Sequence, residues 1–176
     1  MSGVNSINWA RIIAQRVYYF YSYSSVEDVS EPTNFSVPTG NFGDVYAGYL
    51  AKKMGLPIDK LIVATNQNDI LHRAISKGSY EAEKVSETIS PSMDIQIASN
   101  FERLIFDLNN ENDVQTSKDM KNIKEIGNYV LDSKKLNKIN ENFLSARMSE
   151  KETLEIISSV YKKFNVVLDP HTAIGY

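Results

Sequence analysis

The stretch PTGNFGDVYAGYLAKKMGLP, residues 38–57, followed by KLIVAT at 60–65, constrains the fold more than any other part of the chain. A short apolar strand from Asn34 to Val37 runs into a turn with two glycines, and a helix from Gly43 to Met54 follows at once. Val45, Tyr46, Tyr49, Leu50 and Lys53 mark the faces of that helix. Gly55 is a left-handed stop and Pro57 prevents continuation. KLIVAT is nearly all apolar, as a parallel strand covered on both faces reads. NQNDILHRAISKG is a capped helix ending at Gly78. Strand, helix, strand, helix within about 45 residues predicts a βαβ unit with a right-handed crossover.

The remaining elements are placed around that unit. SINWARIIAQRVYYFYSYSS predicts a helix from about Asn8 to Ser22, with Ser6 as its N-cap and Ile7, Ala10, Ile13, Ala14, Val17 and Tyr21 at helical spacing. Tyr18, Tyr19, Phe20, Tyr21 and Tyr23 go nearly all the way round, so this helix is expected to be buried on more than one side. Met93, Ile97, Phe101, Leu104 and Leu108 form a second helical stripe. Residues 109–138 are rich in Asn, Lys and Asp, with Ile123, Ile126, Val130 and Leu131 suggesting a modest amphipathic helix. SEKETLEIISSVYKKF carries a serine cap and early glutamates, the signature of a helix from Ser149 to Phe164. NVVLDPHTAIGY reads as a strand running into a turn. The expected architecture is a single α/β domain over 1–176: a three-layer αβα arrangement whose short parallel sheet uses residues 35–38, 60–64 and 165–168.

Composition excludes several functions. The chain has 176 residues and a net charge of -3, enough for one core. A pI near 5.5 argues against nucleic-acid binding through bulk charge. No cysteine is present, which removes disulfides, thiol nucleophiles and thiolate metal sites. His72 and His171 lack a metal-ligand spacing. No apolar run approaches the roughly 20 residues of a membrane span, and the N-terminus lacks a signal-peptide pattern, so a cytoplasmic location is expected.

Three stretches carry chemistry. In PTGNFGD, a strand, a glycine turn and a helix N-terminus together offer backbone N–H groups to an anion. Gly40 and Gly43 are expected to allow close approach and positive φ, and Asn41 can donate from its side chain. The loop matches neither a Walker loop nor the GxGxxG fingerprint, and an ordinary packing turn is the alternative. Asp44 serves equally as a favourable first-turn charge. In SINWAR, Arg11 can fork onto a phosphate near Ser6 and Asn8; a capped helix with a surface arginine is the alternative. In DPHTA, His171 and Thr172 could hydrogen-bond a ligand, or Asp169-Pro170 simply starts a turn. His72 is assigned no chemistry.

NSINWARI, PTGNFGDVYAGYLAKKMGLP, KLIVATNQNDILHR, SPSMDIQIASNFERLIFDL and DPHTAIG occur in this order, and together they closely resemble threonine synthase of the bacterial and fungal type. The resemblance covers nearly the whole chain and is weakest at 109–138. It implies a pyridoxal-phosphate enzyme of the tryptophan-synthase-β-like fold (fold type II), a lyase of threonine biosynthesis that converts O-phosphohomoserine and water to threonine and phosphate. It also implies that Gly40, Asn41, Phe42, Gly43 and Asp44 hold the cofactor phosphate. Ser6, Asn8 and Arg11 match the segment that grips the substrate phosphate, and Thr172 matches the threonine facing the pyridine nitrogen. A neutral hydroxyl there leaves that nitrogen unprotonated.

The departure from the pattern carries as much weight. The family's Schiff-base lysine stands in a phenylalanine-lysine-aspartate context ahead of NSINWAR, and no lysine of this sequence stands in that context. The family also continues past DPHTAIG. The expectation is an internal portion of the enzyme, inactive alone and assigned no catalytic residue, with an N-terminal chain bearing the lysine as complementary partner. The alternatives are an inactive remnant and a small α/β module that binds a phosphorylated ligand. A chain of this kind is expected to leave apolar surface exposed around Tyr18–Tyr23 and Lys60–Ala64.

Overall fold

The computed structural model describes residues 7–26 and 31–176. In chain order the elements are α1 (Trp9–Ser24), β1 (Thr33–Pro38), α2 (Gly43–Lys53), β2 (Ile58–Thr65), α3 (Ile70–Lys77) and β3 (Ser79–Glu81). A 3-10 turn (Pro91–Met93), α4 (Phe101–Leu108), α5 (Asp113–Ile126), β4 (Asn128–Val130) and α6 (Ser133–Asn140) follow. The chain then forms β5 (Phe143–Arg147), α7 (Glu150–Phe164) and α8 (Pro170–Gly175).

The main sheet is parallel, in the order β1-β2-β5. Leu61 lies between Phe35 and Phe143, and Ile62 between Ser36 and Leu144. Side chains alternate across a strand, so these two rows occupy opposite faces. The Leu61 row faces the core with Val63, under α2, α3 and α4. Phe42, Phe101 and Phe143 are fully buried there, Phe42 edge-on to Phe101 at 5.3 Å and tilted against Phe143 at 5.8 Å. Each such ring contributes on the order of 1.5–3 kcal/mol by burial. On the other face α8 covers the C-terminal ends of the strands, where Ile174 packs with Met93 and Ala64. Farther down that face Leu144 is 49% exposed.

The expected βαβ unit is present, with Gly55 and Gly78 both left-handed at the helix ends. The Ser149 capping box starts α7 as its sequence implies. Four expectations are corrected. The third strand is 143–147, not 165–168: Val166 and Val167 lie exposed and pair with no strand among the described residues, and Asp169-Pro170 caps and opens α8. Helix α1 is capped by Asn8, whose side chain accepts the Ala10 N–H at 2.9 Å; Ser6 lies outside the described residues. That helix buries only Ile12 and Tyr19, while Tyr18 and Tyr21 are 68% and 73% exposed. The 93–108 stripe is a 3-10 turn and a separate helix α4, with Ile97 exposed between them.

The polar 109–140 region is an excursion of α5, β4 and α6, anchored by antiparallel pairing of β4 with β3. Its centre is Asp119, which is buried and accepts from Asn109, Gln115, Tyr129 and Lys135. Burial pushes this carboxyl up, but the hydrogen bonds and the Lys135 charge outweigh it and hold it below the usual range.

Candidate anion site

β1 ends where the Thr39 N–H reaches the Ala64 carbonyl at 3.0 Å. Phe42 then takes a left-handed conformation, φ 66°, and caps α2 without a side-chain bond. Positive φ was expected at Gly40 and Gly43 but falls on Phe42, because the fully buried ring between Phe101 and Phe143 fixes the backbone there. Gly40 is needed for a different reason: a Cβ would stand 3.0 Å from the Ser92 carbonyl oxygen and 3.1 Å from the Met93 Cα.

The turn is closed by Thr39 and Asp44. The Thr39 hydroxyl accepts the Phe42 N–H at 3.1 Å and donates to Asp44 Oδ1 at 2.5 Å. Asp44 Oδ1 also accepts the Val45 N–H at 2.9 Å, and the Tyr19 hydroxyl donates to the Asp44 carbonyl at 2.7 Å. Burial raises the Asp44 carboxyl above its ordinary range, against the lowering effects of the Thr39 and Val45 bonds and the Arg11 charge. Among the described residues, the N–H groups of Gly40, Asn41 and Gly43 meet no acceptor, while the Asp44 N–H is held by its own carboxyl. They stand at the N-terminus of an 11-residue helix, where unpaired amides and the helix dipole favour an anion.

These groups open on a cavity of about 280 Å³. Arg11 and Gln15 of α1 form one wall, the 38–44 turn another, and Ser92, Met93 and His171 the third. Of the residues read from sequence, the cavity brings together Arg11, Gly40, Asn41, Gly43 and Asp44. Phe42 supports the turn from the core. Asn8 caps α1. Thr172 donates its hydroxyl to Asp169, and the residue of its segment that lines the cavity is His171. His72 Nδ1 pairs with the Ser145 hydroxyl at 3.0 Å and ties α3 to β5. Gln15 carries no motif that sequence reading could have singled out, and Thr39 and Ser92, though inside the PTGNFGD and SPSMDIQ stretches, take no role from it; all three reach the site through the fold.

A parallel sheet whose first strand feeds a glycine turn, a helix N-terminus and a phosphate-sized cavity is the architecture of the tryptophan-synthase-β-like pyridoxal-phosphate enzymes. Within that class the chain is homologous to threonine synthase along nearly its whole length, and spans about 37% of the length of the curated relatives it matches. It is 48% identical to the threonine synthase of Pseudomonas aeruginosa over 98% of the chain. The structure of a pyridoxal-phosphate-bound threonine synthase from Brucella melitensis matches with a TM-score of 0.95 at 50% identity, covering 99% of this chain and 38% of that one. The yeast threonine synthase structure matches with a TM-score of 0.91 at 45% identity, covering 98% and 37%. No protein-family profile matches the chain. No helix among the described residues is long and apolar enough to cross a membrane.

Proposed function

We propose that this chain is the phosphate-holding portion of a cytoplasmic threonine synthase, which in its intact form converts O-phosphohomoserine and water to threonine and phosphate. The observation that carries the reading is the set of amides at Gly40, Asn41 and Gly43 that meet no acceptor among the described residues, facing one cavity with Arg11. Three converging N–H donors fit a phosphate group, and the Arg11 guanidinium adds a forked cation.

In this reading the Gly40–Asp44 turn holds the phosphate of pyridoxal 5'-phosphate. Arg11, with Ser6 and Asn8 beside it in sequence, takes the phosphate of the substrate. Thr172 is assigned the contact to the pyridine nitrogen, as a neutral hydroxyl, by the resemblance alone; its hydrogen, given to Asp169 in this structure, would have to turn to that nitrogen. When bound, the cofactor supplies the electron sink for the reaction. The residues of this chain bind and orient; the amine that carries protons is assigned to a complementary N-terminal chain with the phenylalanine-lysine-aspartate segment.

The test is phosphate release and threonine formation from O-phosphohomoserine with added cofactor. The chain alone is expected to be silent, and the chain with a complementary N-terminal portion of a threonine synthase is expected to turn over. Turnover by the chain alone means that another lysine serves. Silence of the pair, with both parts folded, favours an inactive remnant that only binds phosphate compounds.

A further inference from the structure

Ser92, His171 and Asp169 form a line of hydrogen bonds on the cavity wall facing the glycine turn. The Ser92 hydroxyl lies 2.5 Å from His171 Nε2, and His171 Nδ1 lies 3.1 Å from Asp169 Oδ1. Asp169 Oδ1 also accepts the His171 backbone N–H at 2.9 Å. Hydrogen bonds from Thr172 and His171 hold the Asp169 carboxyl at about 2, so it is ionised and can only accept. His171 Nδ1 must therefore carry a hydrogen.

That assignment controls Ser92. With a neutral ring, Nε2 is an acceptor and takes the Ser92 hydrogen, leaving only oxygen lone pairs to meet a ligand. With a protonated ring, Nε2 donates to the Ser92 oxygen and the hydroxyl hydrogen is free to point at an anion. The second state also adds a positive charge at the wall. Asp169 keeps the ring in place in both.

We propose that Ser92 and His171 complete the anion site: the Ser92 hydroxyl is a ligand of the bound phosphate group, and His171, held by Asp169, is a positioning residue that takes up a proton as the anion binds. This rests on reading the cavity as a phosphate site. The charged groups that share the cavity are Arg11 of α1 and Asp44 of α2. Of the other elements packed on α8, β1 has no titratable side chain, and β2 carries Asp59 and Lys60 only near its start, remote from the turn. On α7, Glu150 is engaged by the Ile89 N–H and Glu152 by the Ser149 cap, Lys151 pairs with Glu155, Lys163 lies over the Phe164 ring, and Tyr161 and Lys162 complete its titratable groups. Among the described residues that line the cavity, Asp44 is the other acid–base group that can contribute pH dependence.

The experiment is calorimetric titration of the full chain with inorganic phosphate and with sulfate, which does not change charge over the range used, at pH 6 and pH 8. Ser92→Ala is expected to weaken both anions by roughly ten- to a hundredfold at pH 6, the size of one hydrogen bond to a charged group. His171→Gln is expected to weaken sulfate similarly at pH 6 and much less at pH 8, and to remove most of the pH dependence. Adding Ser92→Ala to His171→Gln is expected to cost little more, because the two act as a unit. Whatever pH dependence persists belongs to Asp44. Melting curves confirm that each variant is folded, and His171→Gln keeps a hydrogen-bonding side chain for that purpose. Gly40→Val tests the cavity itself. If anions bind, Gly40→Val abolishes binding, and Ser92→Ala and His171→Gln bind as wild type at both pH values, the proposal fails and the phosphate reading stands. If the wild type binds neither anion at millimolar concentration, both fail.

Discussion

Asp44 lines the cavity beside the three amides that meet no acceptor among the described residues, and its carboxylate opposes any anion bound there. Its Oδ1 takes the Thr39 hydroxyl and the Val45 N–H, and the carboxyl also holds the residue's own N–H. Asn at this position keeps that oxygen and removes the charge. Because burial raises this carboxyl in the folded state, its contribution is most favourable below the unfolded carboxylate range and declines as pH rises through the folded value. Asp44→Asn is therefore expected to raise the melting temperature at pH 7, with the gain shrinking toward about pH 4. Phosphate should bind it roughly fivefold more tightly, the scale of removing one like charge near the site. Equal destabilisation at both pH values in thermal melts would show instead that the carboxylate's hydrogen bonds outweigh its burial. Phe42 teaches a related lesson about legibility. The glycines announced a turn, but which residue bends left-handed was settled by the phenyl ring's place between Phe101 and Phe143, a contact no local pattern encodes.

At the scale of elements, the βαβ unit was readable because its strands are apolar runs and its helices carry their own stops. The third strand was not. FLSAR has a polar C-terminal half and an exposed Leu144, whereas NVVL looks like a strand yet pairs with neither edge of the β1-β2-β5 sheet. Pairing partners decide strands, and those lie far off in sequence. The β3-β4 pair was hidden for the same reason. What holds the 109–140 excursion in place is Asp119 with Lys135, Tyr129, Asn109 and Gln115. Removing one partner of a buried ion pair leaves the other unmatched, so Asp119→Ala is expected to cost roughly 3 kcal/mol. The Asp119 carboxyl is depressed in the folded state, so its stabilisation is present above the unfolded carboxylate pKa and fades as pH falls from about 4 toward the folded value. Urea unfolding at pH 7 and pH 3.5 checks this: the gap between wild type and variant should narrow at the lower pH. A constant gap would mean that packing, not charge, anchors the excursion.

At the scale of the whole molecule, α1 and one sheet face leave apolar side chains open among the described residues. Val17, Tyr18 and Tyr21 stand out from α1, and the half-buried Ile62 and exposed Leu144 occupy the sheet face that α8 does not reach; the exposure expected along Lys60–Ala64 is otherwise not found, since Leu61, Val63 and Ala64 are buried. Contiguous patches of this kind drive association. The isolated chain is expected to self-associate at micromolar concentration, and Tyr18→Lys with Tyr21→Lys to shift it toward monomer with little change in melting temperature. Sedimentation velocity checks both; a monodisperse wild-type monomer would show that these surfaces are too small or too divided to associate. The sheet has a further consequence, in time rather than space. β2 is its central strand, and Thr65 meets Ala146, its neighbour in β5, across 81 positions of sequence. During synthesis at about 5–20 residues per second, β1 and β2 emerge several seconds before β5. For that interval the free edge of β2 is a template without its own strand, so a crowded polysome, where a neighbouring nascent copy can supply one, is where this fold is most exposed to mispairing.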